Sequence, residues 1–329
     1  GVLNHAITQY PGEMFGLWFP EVFDFVLLDA PCSMQGLRTT ASHPIRPVTD
    51  KEINSLSQRQ VRLLTSALQT ARVGGQVVYA TCTLQPEEDE AVLDALLKKY
   101  PRLFSVVNLE KILPIPSPAL PGDGTRMFHP SVPNAARLWP HRYGTSGFFC
   151  ALLRKEGPFP PLTGSPSRLS NLQENGYFPI KAKERRVLTD FCLQIYGYDL
   201  VASLHGFNLE IWLRDKTCYA FPQKYFNHGF QFPIRSMGLQ LGEYSPDGFI
   251  ISHDWISRFF DLFIHRRYFL QPEEENSWLK GLDIRGNPGT SHPHGTILIM
   301  TGQHDRFLGR GEIQRDRIKN LIPRRSILQ

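Results

Sequence analysis

The chain is poor in cysteine: Cys32, Cys82, Cys150, Cys192 and Cys218 are odd in number and scattered, and no two form a CxxC pair. That excludes a disulfide scaffold and a zinc ribbon and points to a reducing compartment. No uncharged apolar run reaches the roughly 20 residues of a membrane helix. The densest stretch, Phe15 to Leu28, is broken by Pro20, Glu21 and Asp24. No secretory leader and no internal repeat are found, so a cytoplasmic location is expected. Excess charge is also small, +5 with a pI near 8.9, which permits an anionic partner without demanding one. With 41% hydrophobic and 20% charged residues, wholesale disorder and collagen-like order are excluded. The 329 residues exceed one ordinary domain and allow two or three. The opening on Gly1 rather than Met reads as a fragment or a trimmed product.

What is present in the first half is an alternation of strands and helices. Phe25-Val26-Leu27-Leu28, ended by Asp29, reads as a strand buried on both faces. Thr49-Asp50-Lys51-Glu52 reads as a capping box. From there Ile53, Leu56, Leu63, Leu64, Ala67, Leu68 and Ala71 keep helical spacing until Gly74-Gly75. Gln76 to Tyr79 is the next buried strand. A second helix is expected after Pro86, with the solvated acids Glu87 to Glu90 in its first turn and Lys98 and Lys99 in its last, matching the helix dipole. Phe104–Leu109 and Phe148–Leu153 complete a set that predicts a parallel, doubly wound α/β sheet. The Pro, Ser and Gly-rich stretch from Gly157 to Gly176 reads as a linker. Beyond it the texture is α+β or barrel-like, with strand-like runs at Gly238–Leu241 and Thr296–Met300 and a basic tail: Arg306, Arg310, Arg315, Arg317, Lys319, Arg324 and Arg325.

Two cysteines stand in equivalent places. Cys32 follows the first buried strand in LLDAPCS, and Cys82 follows the next in VVYATCT. In such sheets ligands sit outside the carboxyl ends of the strands. If the two strands are neighbours, both sulfurs face one crevice beside Asp29, with Cys82 close to a helix N-terminus that favours a thiolate. An acid and two thiols converging there suggest covalent catalysis. Each residue alone also has an ordinary reading: a small buried hydrophobe for the cysteines, a strand terminator for Asp29. His292 and His294, in a Gly/Pro loop without further ligands, read as loop, and no metal site is expected.

DAPCSMQG at Asp29–Gly36 and YATCTLQPEEDE at Tyr79–Glu90 resemble two signature motifs of the RNA cytosine-5 methyltransferases of the RsmB/RsmF (Nol/Nop/Sun) family, nearest its bacterial RsmF branch, which modifies 16S ribosomal RNA. The likeness runs on to YGTSGFFCALLRK at Tyr143–Lys155. RSMGLQLGEY, SWLKGLDI, FLGRG and RIKNLIPRR resemble the PUA-like RNA-binding module of that branch. The resemblance implies a class I, Rossmann-like methyltransferase sheet at 1–156, without its first strands and cofactor loop. A linker at 157–184, an intermediate segment at 185–232 and a PUA-like domain at 233–329 would follow. It implies S-adenosylmethionine as cofactor and RNA as partner, ribosomal before transfer RNA. Cys82 would be the nucleophile toward cytosine carbon 6, Cys32 would assist loss of the carbon 5 proton and product release, and Asp29 would bind the cytosine edge and border the cofactor. Arg317, Lys319 and Arg324 would hold RNA phosphates.

The chain departs from the family pattern in places. An acid about eighteen positions before Asp29 is replaced by Pro11, and the usual PCSG has become Pro31-Cys32-Ser33-Met34, with Thr39 and Thr40 where basic residues often follow. Two readings stay open, a portion of an active enzyme and a non-catalytic RNA-binding relic. A cysteine hydrolase or thiol-disulfide enzyme is a third, although the nearest histidine is His43 in a polar loop. A sheet without its first strands is expected to expose an edge.

Overall fold

The computed structural model describes residues 2–40, 44, 46–161, 171–223, 234–246, 248–286 and 292–328. Residues 162–170 of the expected linker, and His43, lie outside that set. The chain forms two units: Tyr10–Arg168, and Leu169–Gln329 together with Gly1–Gln9.

In the unit Tyr10–Arg168, a short helix α1 (Phe15–Trp18) precedes strand β2 (Phe23–Asp29); β1 belongs to the other unit. Helix α2 (Asp50–Thr70) starts where the capping residues predict, with Thr49 Oγ1 accepting from Glu52 N. Only half of the capping box forms, because the Glu52 carboxylate turns to the Arg46 guanidinium. The helix stops at Thr70 and not at Gly74. Ala71 is extended and opens β3 (Ala71–Thr81), and Gly74, at φ +80°, lies inside that strand. There the pairing with β2 shifts register between Phe23 and Phe25. Helix α3 (Glu90–Lys99), β4 (Phe104–Val107), β5 (Ala136–Leu138), α4 (Pro140–Tyr143) and β6 (Phe148–Lys155) follow.

The sheet order is β2-β3-β6-β4, with β5 also pairing β6. Only β2 and β3 are parallel; β6 runs antiparallel to β3, β4 and β5. The sheet is therefore mixed and not all-parallel. The short β5–α4–β6 connection brings the chain back as a hairpin does, and a hairpin makes antiparallel neighbours.

One face of this sheet, with Val77, Tyr79, Phe149, Ala151, Leu153 and Val106, packs against Leu64, Leu68, Leu93 and Leu96 of α2 and α3. Val26 and Leu28 join that face, but Phe25 and Leu27 alternate onto the other and are 76% and 73% exposed. The expectation that this strand is buried on both faces is corrected: β2 is an edge strand covered on one side.

The second unit holds β1 (Ala6–Ile7), paired with β10 (Ser236–Met237), and two five-stranded sheets. The first joins β7 (Phe178–Pro179), β8 (Leu209–Arg214), β9 (Thr217–Pro222), β11 (Leu239–Ser245) and β12 (Gly248–Ile251). The β9–β11 pairing thus spans position 233. The second sheet joins β13 (Arg267–Phe269), β14 (Ile284–Arg285), β15 (Ile297–Gly302), β16 (Arg306–Ile313) and β17 (Arg317–Asn320). Helices α5 (Ala182–Tyr196), α6 (Leu200–Gly206), α7 (His253–Phe259) and α8 (Pro272–Leu279) complete it, and Leu188, Cys192, Leu241, Trp255, Phe263 and Ile299 share one core.

Candidate active site

Asp29, the last residue of β2, is level with Ala80 of β3, and Ala30 N donates to Ala80 O at 2.9 Å. Beyond that bond both chains leave the sheet at the same end. Cys32 follows β2 by three residues and Cys82 follows β3 by one, and their sulfurs are 3.3 Å apart. The expected convergence is therefore present, with the Asp29 carboxylate exposed at the adjoining strand end.

The loop after Cys32 is latched to its neighbours. Gly36 N donates to Cys82 O at 3.0 Å, and Gly147 N donates to Gly36 O at 2.6 Å. A Cβ on Gly36 would lie 2.7 Å from Gly147 O and 2.9 Å from Cys82 O, so the close approach requires glycine. Ser33 Oγ and Thr83 Oγ1 share a hydrogen bond at 3.0 Å. Met34 takes the position where the family pattern has glycine, and it does so at φ +60° with its side chain half exposed.

Burial pushes the Cys32 thiol up to about 12, a backbone hydrogen bond at Met34 pulls it down, and the neighbouring Cys82 raises it further. Cys32 is thus a neutral thiol near pH 7. The dipole argument for Cys82 is corrected: residues 86–89 form turns and α3 begins only at Glu90.

The acidic run is also corrected. Glu87 is exposed as expected, but Glu88, Asp89 and Glu90 are fully buried. Glu90 forms a paired bond to Arg137, Nε–Oε1 and Nη2–Oε2 both 2.6 Å. Asp89 accepts from Thr81 Oγ1 at 2.6 Å, and burial holds its carboxyl well above the ordinary range. Glu88 Oε2 accepts from Ser33 N and from Gln60 Nε2, each at 3.0 Å. Glu88 is hidden in the sequence because a run of four acids reads as solvated, and Gln60 because a lone polar residue in an amphipathic helix does the same. The one available signal was that a hydroxyl residue follows each cysteine, in Cys32-Ser33 and Cys82-Thr83.

Pro11 precedes a turn of 3-10 helix (Gly12–Met14), and the nearby Glu13 is taken up by Arg59 at 2.9 Å. Among the described residues no cluster of three or more metal-ligating side chains occurs, and no helix is long and apolar enough to cross a membrane.

In the second unit Arg317 and Lys319 lie on one face of β17, with Ile318 buried on the other. Arg317 pairs with Asp283 at 3.2 Å, and Lys319 stands 4.0 Å from Glu312. Arg324 is exposed in a turn of 3-10 helix (Arg324–Ser326). The basic tail is less free than its composition reads, since Arg306 pairs with Glu275 and the half-buried Arg310 donates to the Ile251 carbonyl.

Residues 1–154 match the family model described as 16S rRNA methyltransferase RsmB/F. The ribosomal RNA small subunit methyltransferase F of Aeromonas hydrophila is 29% identical over 327 residues, covering 99% of this chain and 64% of that protein. The protein of the same name from Cronobacter sakazakii is 31% identical over 330 residues, covering 99% and 63%. The chain thus spans a little under two thirds of the length of these curated relatives. Among solved structures, a methyltransferase homologue from Pyrococcus horikoshii is 35% identical over 40% of this chain and 39% of its own, with a TM-score of 0.34. The structure titled NSun6 from Pyrococcus horikoshii with SFG is 32% identical over 39% and 29%, with a TM-score of 0.30. Residues 1–154 are thus similar to the RsmB/F methyltransferases, and the likeness to the curated relatives runs through the rest of the chain.

Proposed function

We propose that this chain carries the reacting cysteines of an S-adenosylmethionine-dependent cytosine-5 methyltransferase acting on small-subunit ribosomal RNA in the cytoplasm. The observation that carries the reading is the 3.3 Å separation of Cys32 and Cys82 at the ends of adjacent parallel strands. Relatives named as small-subunit rRNA methyltransferases support the substrate class.

Cytosine carbon 5 is a weak nucleophile. Attack of the Cys82 thiolate on carbon 6 forms a sulfur–carbon bond and pushes an electron pair toward carbon 5, dividing one hard step into easier ones. The exposed Asp29 carboxylate accepts hydrogen bonds from the cytosine edge, and it is also the polar group available to the cofactor, which supplies an electrophilic methyl group. Once carbon 5 has gained its substituent, its proton must leave and the bond from carbon 6 to Cys82 must break. Cys32 lies within reach of both events. With its thiol held up to about 12, Cys32 must first give its own proton to water. Its sulfur, then strongly basic, takes the carbon 5 proton while the carbon 5–hydrogen electrons form the ring double bond and the carbon 6–sulfur electrons return to Cys82. The target base has to leave any helical stack to reach these sulfurs, and Arg317, Lys319 and Arg324 would contribute phosphate contacts in the second unit.

The test is RNA carrying 5-azacytidine, which traps the carbon 6 adduct. Cys82→Ala is expected to abolish the covalent band and Cys32→Ala to retain or accumulate it. Salt-dependent RNA binding with no band in the wild type favours the relic reading, which the left-handed Met34 and Pro11 support; transfer RNA serves as the comparison substrate.

A further inference from the structure

We infer that Glu88 is a positioning residue: its buried carboxylate, through Gln60 and the Ser33 amide, sets Cys32 against Cys82. Its purpose rests on the methyltransferase reading; its test does not.

The two residues that flank Cys32 are both held by this pair. Ser33 N donates to Glu88 Oε2 at 3.0 Å, and Gln60 Nε2, on α2, donates to Pro31 O at 2.9 Å and to the same Oε2 at 3.0 Å. With both neighbours pinned, the Cys32 side chain is left with rotation about its own bonds. Glu88 is in turn anchored to the Cys82 side of the site. Its main-chain carbonyl accepts from Tyr79 Oη at 2.5 Å, and its amide donates to Gln85 O at 3.0 Å. One residue therefore bridges the loop after β2 and α2 through its carboxylate and the end of β3 through its main chain.

Glu88 and Gln60 are both 0% exposed. Burying a carboxylate costs several kcal/mol unless it is compensated, and a well-packed apolar residue commonly stabilises as much. Among the described residues, the side-chain hydrogen bonds of Glu88 and Gln60 run only to the two flanks of Cys32 and to each other. A polar pair whose bonds all converge on one cysteine fixes geometry. Both partners of Gln60 Nε2 are acceptors, which also settles the orientation of its amide.

The experiment measures the effective concentration of the Cys32–Cys82 thiol pair in the whole 329-residue chain. In a glutathione redox buffer the two thiols reduce one glutathione disulfide to two glutathione thiols and join as a disulfide, which alkylation and peptide mass mapping quantify. Glu88→Ala is expected to lower the effective concentration by about tenfold or more, and Glu88→Gln, which keeps the acceptor oxygen, to stay within about threefold of wild type. Gln60→Leu keeps the volume and the carboxylate but loses both bonds of Nε2; it is expected to lose about threefold or more, and it carries the test if Glu88→Ala does not fold. A wild-type chain that forms no Cys32–Cys82 disulfide overturns the inference. So does a folded Glu88→Ala or Gln60→Leu chain that keeps the wild-type value, or a Glu88→Gln chain that falls as far as Glu88→Ala. The 5-azacytidine adduct is read separately. Its absence from the wild type removes the methyltransferase reading and leaves the thiol series to be judged by itself.

Discussion

Ser33 and Thr83 share a hydrogen bond of 3.0 Å between their hydroxyls, and each is the residue that follows a cysteine of the pair. Because β2 and β3 are parallel and in register up to Asp29 and Ala80, the two chains leave the sheet in the same direction. Cys32 lies three residues past Asp29 and Cys82 two past Ala80, so the loop after β2 takes up one extra residue before sulfur meets sulfur and hydroxyl meets hydroxyl.

Met34 is the place where this loop is under backbone strain. An L-residue at φ +60° costs about 1–2 kcal/mol relative to glycine, and glycine gives back part of that as unfolded-chain entropy. Met34→Gly is expected to stabilise the chain by about 0.5–1 kcal/mol in urea denaturation. A midpoint no higher than wild type would show that the turn is relaxed with methionine.

Cys32 should betray its environment in alkylation kinetics. An ordinary thiol stops gaining reactivity near pH 9, whereas the Cys32 rate should keep rising about tenfold per pH unit toward pH 12. The sign for stability follows from proton binding. Between these values the unfolded state has lost its proton and the folded state has kept it, so the contribution of Cys32 is full below pH 9 and is lost as pH rises toward 12. Cys32→Ala should flatten that part of an alkaline unfolding curve, and identical curves would contradict the raised value.

Arg137 is 1% exposed and neutralises Glu90 through two bonds while donating to Leu84 O at 2.8 Å. Arg137→Met leaves a buried carboxylate without its counterion and is expected to cost about 3–5 kcal/mol in urea unfolding. Adding Glu90→Gln should recover a good part of that, since Gln keeps the acceptor for Leu120 N. A double variant no more stable than Arg137→Met would place the loss in packing and not in the charge.

The uncovered face of β2 should bind an apolar dye and scatter light on concentration, as an exposed hydrophobic edge strand does. Replacing Phe25 and Leu27 by Ser and Thr is expected to reduce both signals while changing stability by less than about 1 kcal/mol, because both side chains are largely exposed. Dye binding unaffected by the pair would locate the apolar surface elsewhere.

Much of this site is legible in the sequence. The runs Phe25–Leu28 and Gln76–Tyr79 mark strands, and a cysteine just past each marks a crevice at their carboxyl ends. The motif pair also pointed to the family that the comparisons support. Local sequence was less reliable where one residue type serves two environments. Glu88, Asp89 and Glu90 read as a solvated helix start, yet all three are buried, because Arg137, Ser33 and Gln60 arrive from distant parts of the chain and Thr81 from the nearby end of β3 to satisfy them. Likewise, Arg310 looks like part of a basic surface and is half-buried, donating to the Ile251 carbonyl.

The sequence by itself determined the two strands and the cysteine just past each, because these are local patterns of hydrophobicity. Only the tertiary structure decided that the sheet is mixed, that β2 is covered on one side, and that Glu88 reaches across to the flank of Cys32. Those outcomes depend on which distant segments pack together, and the charge of a carboxylate does not reveal whether water or a buried amide will satisfy it.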